Sequence, residues 1–459
     1  MFLRIDTILS RRLFLTGTAT FTAAAAPAAL ASANTRVGFD PTLGLQAATW
    51  DPDEGSDPAV RARRVGWLEK HAHELDSIDF DDDDFEDLEA FGKAAGNARI
   101  VMLGEQTHSD GTTLLAKARL VRYLHEEMDF DVLAFEGGLY DMHRAWQRIK
   151  DGERARTAVG AWSTTREIGR LIDYVGERAD RRRPLELAGV DCIFSAVSGN
   201  RVVDDLVAFL AAHRIETDTI PEWQRFRTTL ERMAGGSPQW KATEEEQRLV
   251  LSTIDALAAR IAATVGREAT FWRQALKSTK AFTQFRFLMQ ENAAGTDPNL
   301  RDAAMADNLL WLAREAFPER KIIVWAATFH NLRNPHLIDT RMPEVSYAKF
   351  KTMGHLVAEQ LGSAVYSVGF TAHAGQYGFV DQEPTPLDLP PVGSLEDVWG
   401  ATTQQNAFLD LRRIPAGGEW LQSPILSRPL GYRPMLADWS QVLDGMVFTR
   451  TMRPCRPAR

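Results

Sequence analysis

Two histidines in this chain follow short apolar runs, a pattern that can place an imidazole at the end of a buried strand. Residues 100–103 lead through a glycine to Glu105 and His108, and residues 321–327 lead to His330. An imidazole is well suited to take a proton from water near neutral pH, and a carboxylate three residues away can orient it. Because two such strand ends suggest one site, we predict that Glu105, His108 and His330 lie together.

Three further apolar runs also end in polar side chains, namely Glu136, Asp191 and His373. Runs that are apolar at nearly every position and alternate with helical patterns are typical of a parallel sheet covered on both faces. Ligands bind such sheets beyond the carboxyl ends of the strands, where these side chains would lie. The predicted fold class is therefore α/β, with a mainly parallel central sheet flanked by helices.

The first 33 residues have the features of a twin-arginine export signal. Arg11 and Arg12 precede a stretch rich in Ala, Thr and Leu that is too short to span a bilayer, and small residues near position 31 offer a cleavage site. We therefore predict a periplasmic or secreted protein. Residues 34–58 lack periodicity and are predicted to be a linker.

Residues 59–459 are predicted to form one catalytic domain. Within it, residues 201–291 show helical spacing and no convincing strand, which predicts a helical insertion that could cover the site. The two cysteines are too few for a disulfide scaffold. We expect Cys192 to be a core residue and Cys455 to lie in a mobile tail.

The composition limits the kinds of partner. A formal net charge of −9 disfavours nucleic acid. No segment after the signal reaches the roughly 18 consecutive apolar residues of a membrane span. We expect a small-molecule partner, and the sequence does not predict an oligomeric state.

Several common catalytic motifs are missing from the sequence. It contains no Gly-x-Ser-x-Gly elbow, no His-Glu-x-x-His zinc helix and no Gly-x-x-x-x-Gly-Lys phosphate loop. Covalent catalysis by serine is therefore disfavoured, and a histidine that activates water is the simpler hypothesis.

The segment Leu103-Gly104-Glu105-Gln106-Thr107-His108 resembles the Gly-Glu-Ala-Thr-His signature of the erythromycin esterase family. Further motifs follow in that family's order: Phe135-Glu136, Gly189-Val190-Asp191, Arg301-Asp302-x-x-Met305-Ala306-x-Asn308, Trp325-x-x-x-x-His330 and Met353-Gly354-His355. The order and spacing of these motifs carry the resemblance.

The resemblance implies hydrolysis of an ester or lactone without a covalent enzyme intermediate and without a cofactor. It makes His108 the general base and places Glu105, Glu136 and His330 around it.

Arg119 and Arg301 resemble recurrent arginines of the family. They could hold the oxyanion, as could His330, or be buried in pairs with Asp302 or Asp191. Together with Asp191 and His373, we predict them as substrate-binding residues.

The chain departs from the family after the histidine. Where the family commonly has Gly-Ser-Arg-Glu, this sequence has Ser109-Asp110-Gly111-Thr112. A macrolide lactone is therefore one candidate substrate among several esters.

Two alternatives remain open at this point. In a divalent-metal-dependent hydrolase, His108, His330 and Glu105 or Glu136 would bind zinc or manganese. In an exported binding protein, the same cleft would hold a small molecule or haem.

Overall fold

The apolar runs form the centre of a nine-stranded sheet. The computed structural model describes residues 57–194, 201–235, 241–291, 299–342, 345–380 and 382–458. Its strands are β1 (His73–Glu74), β2 (Ile100–Leu103), β3 (Phe130–Gly138), β4 (Glu186–Asp191), β5 (Lys321–Trp325), β6 (Val365–Tyr377), β7 (Thr385–Pro386), β8 (Asn406–Asp410), β9 (Ile425–Ser427), β10 (Met435–Ala437) and β11 (Gly445–Met452).

Helices connect most of the strands and cover the sheet. They are α1 (Pro58–His71), α2 (Glu89–Ala95), α3 (Gly111–Met128), α4 (Leu139–Lys150), α5 (Ala155–Val159), α6 (Arg166–Arg178), α7 (Val202–Ala212), α8 (Trp223–Ala234), α9 (Glu244–Ile261), α10 (Arg267–Glu291), α11 (Leu300–Trp311), α12 (Thr328–Asn331), α13 (Met353–Leu361), α14 (Leu395–Gly400) and α15 (Trp439–Val442).

The strand order is β1-β8-β11-β6-β2-β5-β3-β4, and β7 pairs with β6. Every pairing from β11 to β4 is parallel, whereas β8, β1 and β7 pair in the antiparallel direction. The predicted α/β fold class with a mainly parallel sheet is therefore confirmed.

The register aligns the ends of the central strands. Trp325 of β5 is paired with Leu103 of β2 on one side and with Phe135 of β3 on the other. Leu103 is also paired with Val368 of β6. Polar residues that follow Leu103, Phe135 and Trp325 therefore start from the same level, at one edge of the sheet.

Alternate strand residues pack against two different helical layers. Met102 and Val324 belong to a core cluster that includes side chains of α7 to α11. Val101 and Ile323 belong to a second cluster that includes side chains of α3 and α6. Because both faces are covered, the central strands β2 and β5 are apolar at nearly every position and do not alternate with polar residues.

The long connection between β4 and β5 is helical. Its described residues, 201–235 and 241–291, form α7, α8, α9 and α10 and contain no strand. These helices pack on the same face as Met102 and Val324.

The chain beyond β11 is packed, so the predicted mobile tail around Cys455 is wrong. Cys455 is 7% exposed, and its amide donates to the carbonyl of Gly378 at 2.9 Å. Arg456 forms an ion pair with Glu167 at 2.9 Å. Backbone pairing and a buried ion partner hold the segment against the domain. Cys192 is 3% exposed, as expected for a core residue.

The predicted export signal and almost all of the predicted linker lie outside the described residues, which begin at Asp57. Both stay predictions. Among the helices that the structure describes, none is long and apolar enough to cross a bilayer.

Gly189 allows β3 and β4 to approach closely near the end of the sheet. A Cβ atom at this position would overlap the carbonyl oxygens of Gly137 and Gly138. Gly66, in contrast, is exposed in α1, and an added Cβ atom would contact nothing there.

We expect Gly189→Ala to lower the free energy of unfolding by about 1–3 kcal/mol, because two backbones must separate. Gly66→Ala is the matched control and should raise it by roughly 0.5–1 kcal/mol, since alanine is the better helix former. Denaturant unfolding of both variants measures the two values. Equal effects would contradict the close approach at Gly189.

Candidate active site

The turn after β2 brings Glu105 and His108 to the edge of the sheet. The amide of Gly104 donates to the carbonyl of Val368, and the amide of Thr328 donates to the carbonyl of Glu105, both at 2.9 Å. A side chain on Gly104 would overlap Thr328. The neighbouring strand ends therefore fix the turn, and only glycine fits its first position.

His108 is held by Glu105, which is itself held by a buried lysine. Nδ1 of His108 lies 2.9 Å from Oε1 of Glu105, and Nζ of Lys117 donates to Oε2 of the same carboxylate. The ammonium of Lys117 also lies 4.1 Å from the ring centre of Trp325. Burial lowers the pKa of Lys117, although Glu105 opposes that shift. The ammonium and the carboxylate neutralise each other beside the imidazole.

Glu136 faces His108 from the end of β3. Its Oε1 lies 3.9 Å from Nε2 of His108, and its Oε2 accepts the amide of Ala327 at 2.8 Å. Oε1 also accepts from Arg301 at 2.9 Å. Burial alone would raise the pKa of Glu136, but His330, His108 and Arg301 hold it well below its usual value. Glu136 is therefore a carboxylate at neutral pH.

His330 lies between two carboxylates. Its Nδ1 is 2.8 Å from Oδ1 of Asp302, and its Nε2 is 3.3 Å from Oε1 of Glu136. Burial by itself would lower the pKa of His330, but Asp302 and Glu136 outweigh it and raise that pKa to about 10. His330 is therefore an imidazolium at neutral pH, a protonation state unsuited to a general base.

Arg301 joins Glu136 to Asp191. One of its terminal nitrogens lies 2.5 Å from Oδ2 of Asp191 and 2.9 Å from Oε1 of Glu136. Of the two pairings that the sequence left open, the guanidinium thus makes the one with Asp191. Arg301 and Asp191 are both buried and lie beside His330 and Glu136.

Two predicted substrate-binding residues lie elsewhere. The guanidinium of Arg119 forms a two-point ion pair with Asp87, with both distances 2.8 Å, and is 2% exposed. Nδ1 of His373 lies 3.1 Å from the carbonyl oxygen of Glu396 in α14. The structure therefore brings Glu105, His108, Glu136, Asp191, Arg301 and His330 together, and ties Arg119 and His373 to other segments.

Two members of the site were missed or undervalued by sequence reasoning. Lys117 lies on α3 within the stripe of Leu114, Ala118 and Val121, so a lysine among apolar neighbours was the available signal. Asp302 was expected only as a possible partner of a buried arginine, and it is the residue that orients His330. A single carboxylate in a helix carries no spacing signal for such a role.

The donor atoms at the mouth of the site also suit a cation. One ligand atom from each of Glu105, His108 and Glu136 lies within 4.8 Å of the others. His330, which the metal hypothesis included, instead has its two nitrogens directed at Asp302 and Glu136. Two carboxylates and an imidazole are ligand types for zinc or manganese, but the ammonium of Lys117 already occupies one oxygen of Glu105.

The family becomes clear when the chain is compared with known proteins. A family model described as erythromycin esterase matches residues 125–452. The chain belongs to the erythromycin esterase family. The stretch matched by the family model includes Glu136, Asp191, Arg301 and His330. The turn with Glu105 and His108 precedes that stretch.

Relatives with assigned names agree with a hydrolase. A Bacillus subtilis (strain 168) protein named "Putative hydrolase YbfO" is 25% identical over 419 residues, which cover 84% of this chain and 91% of that protein. The erythromycin esterase type II of Escherichia coli is 22% identical over 396 residues, or 76% of this chain and 89% of the relative.

A solved structure of the same family shares the fold. The erythromycin esterase EreC, determined as a histidine-to-asparagine mutant in its open conformation, superposes with a TM-score of 0.64 at 19% identity. The alignment covers 82% of this chain and 96% of EreC. At that identity the likeness supports the fold alone.

Arg119→Met tests whether Arg119 is structural. Removing the guanidinium leaves the buried Asp87 carboxylate unpaired, so we expect a loss of roughly 3–5 kcal/mol in the free energy of unfolding. Arg248→Met, which breaks an exposed pair with Glu244, is the control and should change it by no more than about 0.5 kcal/mol. Loss of hydrolysis by folded Arg119→Met protein would instead support contact with substrate.

The raised pKa of His330 predicts a specific dependence of stability on pH. A group whose pKa is higher in the folded state contributes its full stabilisation below its unfolded pKa, near 6.5, and loses it as pH rises towards about 10. The stability difference between wild type and His330→Gln should therefore narrow from pH 6 to pH 10. Denaturant unfolding across that range measures it, and a constant difference would contradict an imidazolium.

Proposed function

We propose that the protein hydrolyses a carboxylic ester or lactone, with His108 as the general base that activates water. The observation that carries this proposal is the arrangement of Glu105, His108 and Glu136. The side chain of His108 is 19% exposed, whereas those of Glu105 and Glu136 are almost fully buried. Substrate and water can therefore reach the imidazole, which is the group with the right chemistry to accept a proton.

Glu105 determines which nitrogen of His108 reacts. A neutral imidazole that donates its Nδ1 hydrogen to Glu105 carries its lone pair on Nε2. That nitrogen faces Glu136, and one small group can contact both Nε2 and Oε1 of Glu136 across their separation of 3.9 Å. A water molecule held there would be oriented by the carboxylate and deprotonated by the imidazole.

The cationic groups support the same reaction. Attack of water on an ester carbonyl places negative charge on the carbonyl oxygen, and fixed positive groups in a buried site lower the energy of that charge. Arg301 and the protonated His330 contact Oε1 of Glu136, the same oxygen that faces His108. They keep Glu136 ionised and offset the charge that develops on the substrate.

The substrate class follows from family membership and from the chain's own sequence. Members named erythromycin esterase support an ester or lactone, and a macrolide lactone is one candidate. The turn after His108 differs from the family pattern, as Ser109 to Thr112 replace the common Gly-Ser-Arg-Glu. Recognition of substrate is therefore the part of the reaction in which this chain should differ from its relatives.

A metal-dependent hydrolase is the second candidate, and the close approach of Glu105, His108 and Glu136 favours it. In that case the three residues would hold a divalent cation that acidifies bound water. The ammonium of Lys117 at Glu105 opposes it, because a second cation would be repelled. A chelator separates the two mechanisms.

His108→Ala should lower kcat for an aryl ester by at least about 10²-fold, because the general base is removed. His213→Ala, an exposed histidine at the end of α7, is the matched control and should behave as wild type. Glu105→Gln should lose less than His108→Ala, since the base remains and only its orientation suffers. Retained turnover by folded His108→Ala protein would end the assignment.

The same assays run with a chelator decide between the two mechanisms. Turnover by wild type that survives chelation supports histidine acting on water alone. Turnover that is lost and then restored by zinc or manganese would favour the metal-dependent mechanism.

A further inference from the structure

We propose that Gln106, Tyr377 and Tyr432 form a substrate-recognition subsite next to His108, which binds a ring bearing an acceptor oxygen in the non-reacting part of the ester. This inference rests on the proposed hydrolase function. It assigns recognition to three residues that the catalytic cluster does not use.

The first observation is a hydrogen-bond donor without a partner in the turn that carries Glu105 and His108. Gln106 follows Glu105 directly and is 6% exposed, and its Nε2 has no hydrogen-bond partner among the described residues. Its Oε1 accepts the hydroxyl of Thr113 at 3.0 Å, which fixes the orientation of the amide. A buried donor left unpaired costs about 1–3 kcal/mol, so an acceptor supplied from outside the protein would be bound favourably.

The charged donors near His108 are already occupied. Lys117 donates to Glu105, and Arg301 donates to Asp191 and Glu136. His330 has a carboxylate near each ring nitrogen. The buried donors Trp325 Nε1 and Thr328 Oγ1 also have no partner among the described residues, but they lie on β5 and α12. Gln106 Nε2 is the unpaired buried side-chain donor within the turn itself, two residues before His108.

The second observation is a pair of aromatic rings placed on the same turn. The amide of Gly431 donates to the carbonyl of Gln106 at 3.1 Å, and the hydroxyl of Tyr432 donates to Asp110 at 2.8 Å. From the end of β6, the amide of Gly378 donates to the carbonyl of Ser109 at 3.0 Å. Two separate segments are therefore anchored to residues 106–110, on either side of His108 in the sequence.

The rings themselves are only partly buried. Tyr377 and Tyr432 have ring centres 5.2 Å apart with an angle of 32° between their planes, and each residue keeps part of its surface accessible. A tyrosine with its hydroxyl anchored offers a rigid apolar face at little entropic cost. Such a face binds the hydrocarbon surface of a substrate ring.

The backbone at Tyr432 is also unusual. Its φ is 59°, and that of Gly431 is 60°, so two consecutive residues adopt the left-handed conformation. For a bulky residue such as tyrosine this conformation is uncommon and strained. The bonds to Gln106 and Asp110 hold it there, which keeps the ring of Tyr432 against the catalytic turn.

The combination specifies the chemistry of the ligand. Aromatic faces bind the C–H surface of a ring, and an amide N–H binds an oxygen on it. The expected substrate is therefore an ester whose alcohol or acyl part carries a saturated, oxygen-containing ring.

Three esters of one acid test the subsite. Their alcohol groups are methyl, cyclohexylmethyl, and a cyclohexylmethyl group in which one ring CH₂ is replaced by oxygen. A second set carries the same three groups on the acyl side. We expect wild type to have the highest kcat/KM for the oxygen-containing ring in at least one set, about fivefold above cyclohexyl, as one hydrogen bond predicts. The preference should appear in KM, because the contact is to a non-reacting group.

Gln106→Ala should abolish the preference for ring oxygen, and its fold should be retained because alanine is the residue in the family signature. Tyr377→Leu should reduce kcat/KM for both ring esters relative to the methyl ester, by about tenfold. Gln247→Ala, in α9, is the control and should keep the wild-type ratios.

The outcomes separate this inference from the function on which it rests. Wild type that hydrolyses all the esters without ring preference would overturn the subsite alone. Equal losses on all esters in Gln106→Ala would also overturn it, because a recognition contact must discriminate. No turnover of any ester would overturn the proposed function and the subsite with it.

Discussion

Burying charge at one edge of the sheet is the constraint on which the site depends. Glu136 is almost fully buried yet ionised, and it remains so because Arg301, His330 and the amide of Ala327 surround it. A buried carboxylate without such partners would be protonated or would destabilise the fold. The aligned ends of β2, β3 and β5 bring these groups together from distant parts of the chain. The register of the sheet therefore also places the positive groups against the buried carboxylate of Glu136.

The two histidines show how the same side chain acquires different roles from its neighbours. His330 lies between Asp302 and Glu136, and these carboxylates keep it protonated. His108 contacts Glu105, which Lys117 also contacts, and its Nε2 lies 3.9 Å from Glu136. The partial exposure of His108 suits a base that must reach water, whereas a buried imidazolium between two carboxylates, as at His330, suits a fixed positive charge. Because Glu136 lies near both imidazoles, the difference between them comes from the other neighbours, which are Asp302 at His330 and the Glu105–Lys117 pair at His108.

Much of this arrangement follows from the sequence, and the rest depends on contacts that no local pattern encodes. The apolar runs before Glu105, Glu136, Asp191 and His330 predict strands because a doubly covered sheet requires them. By contrast, β8 and β11 were not predicted; β8 has polar residues at both ends and only three apolar positions, 407–409, and β11 includes the polar run from Thr449 to Thr451. The apolar neighbours of Lys117 on α3 indicate that it is buried, but no local pattern shows that Glu105 is its partner. Arg119 resembles a family arginine, yet it forms an ion pair with Asp87. The sequence does not predict this pair, because the two residues are far apart along the chain.

The packed segment after β11 has a consequence for the timing of assembly. Pro454 pairs with Asp110 at the start of α3, and the amide of Arg453 donates to Thr112. The turn that carries His108 is thus buttressed by residues synthesised more than three hundred positions later. During translation, β3 and β4 can pair once both have been synthesised, but this support is missing until Arg453 and Pro454 have left the ribosome. The turn that carries His108 therefore gains this support late in folding, once the segment after β11 has been synthesised.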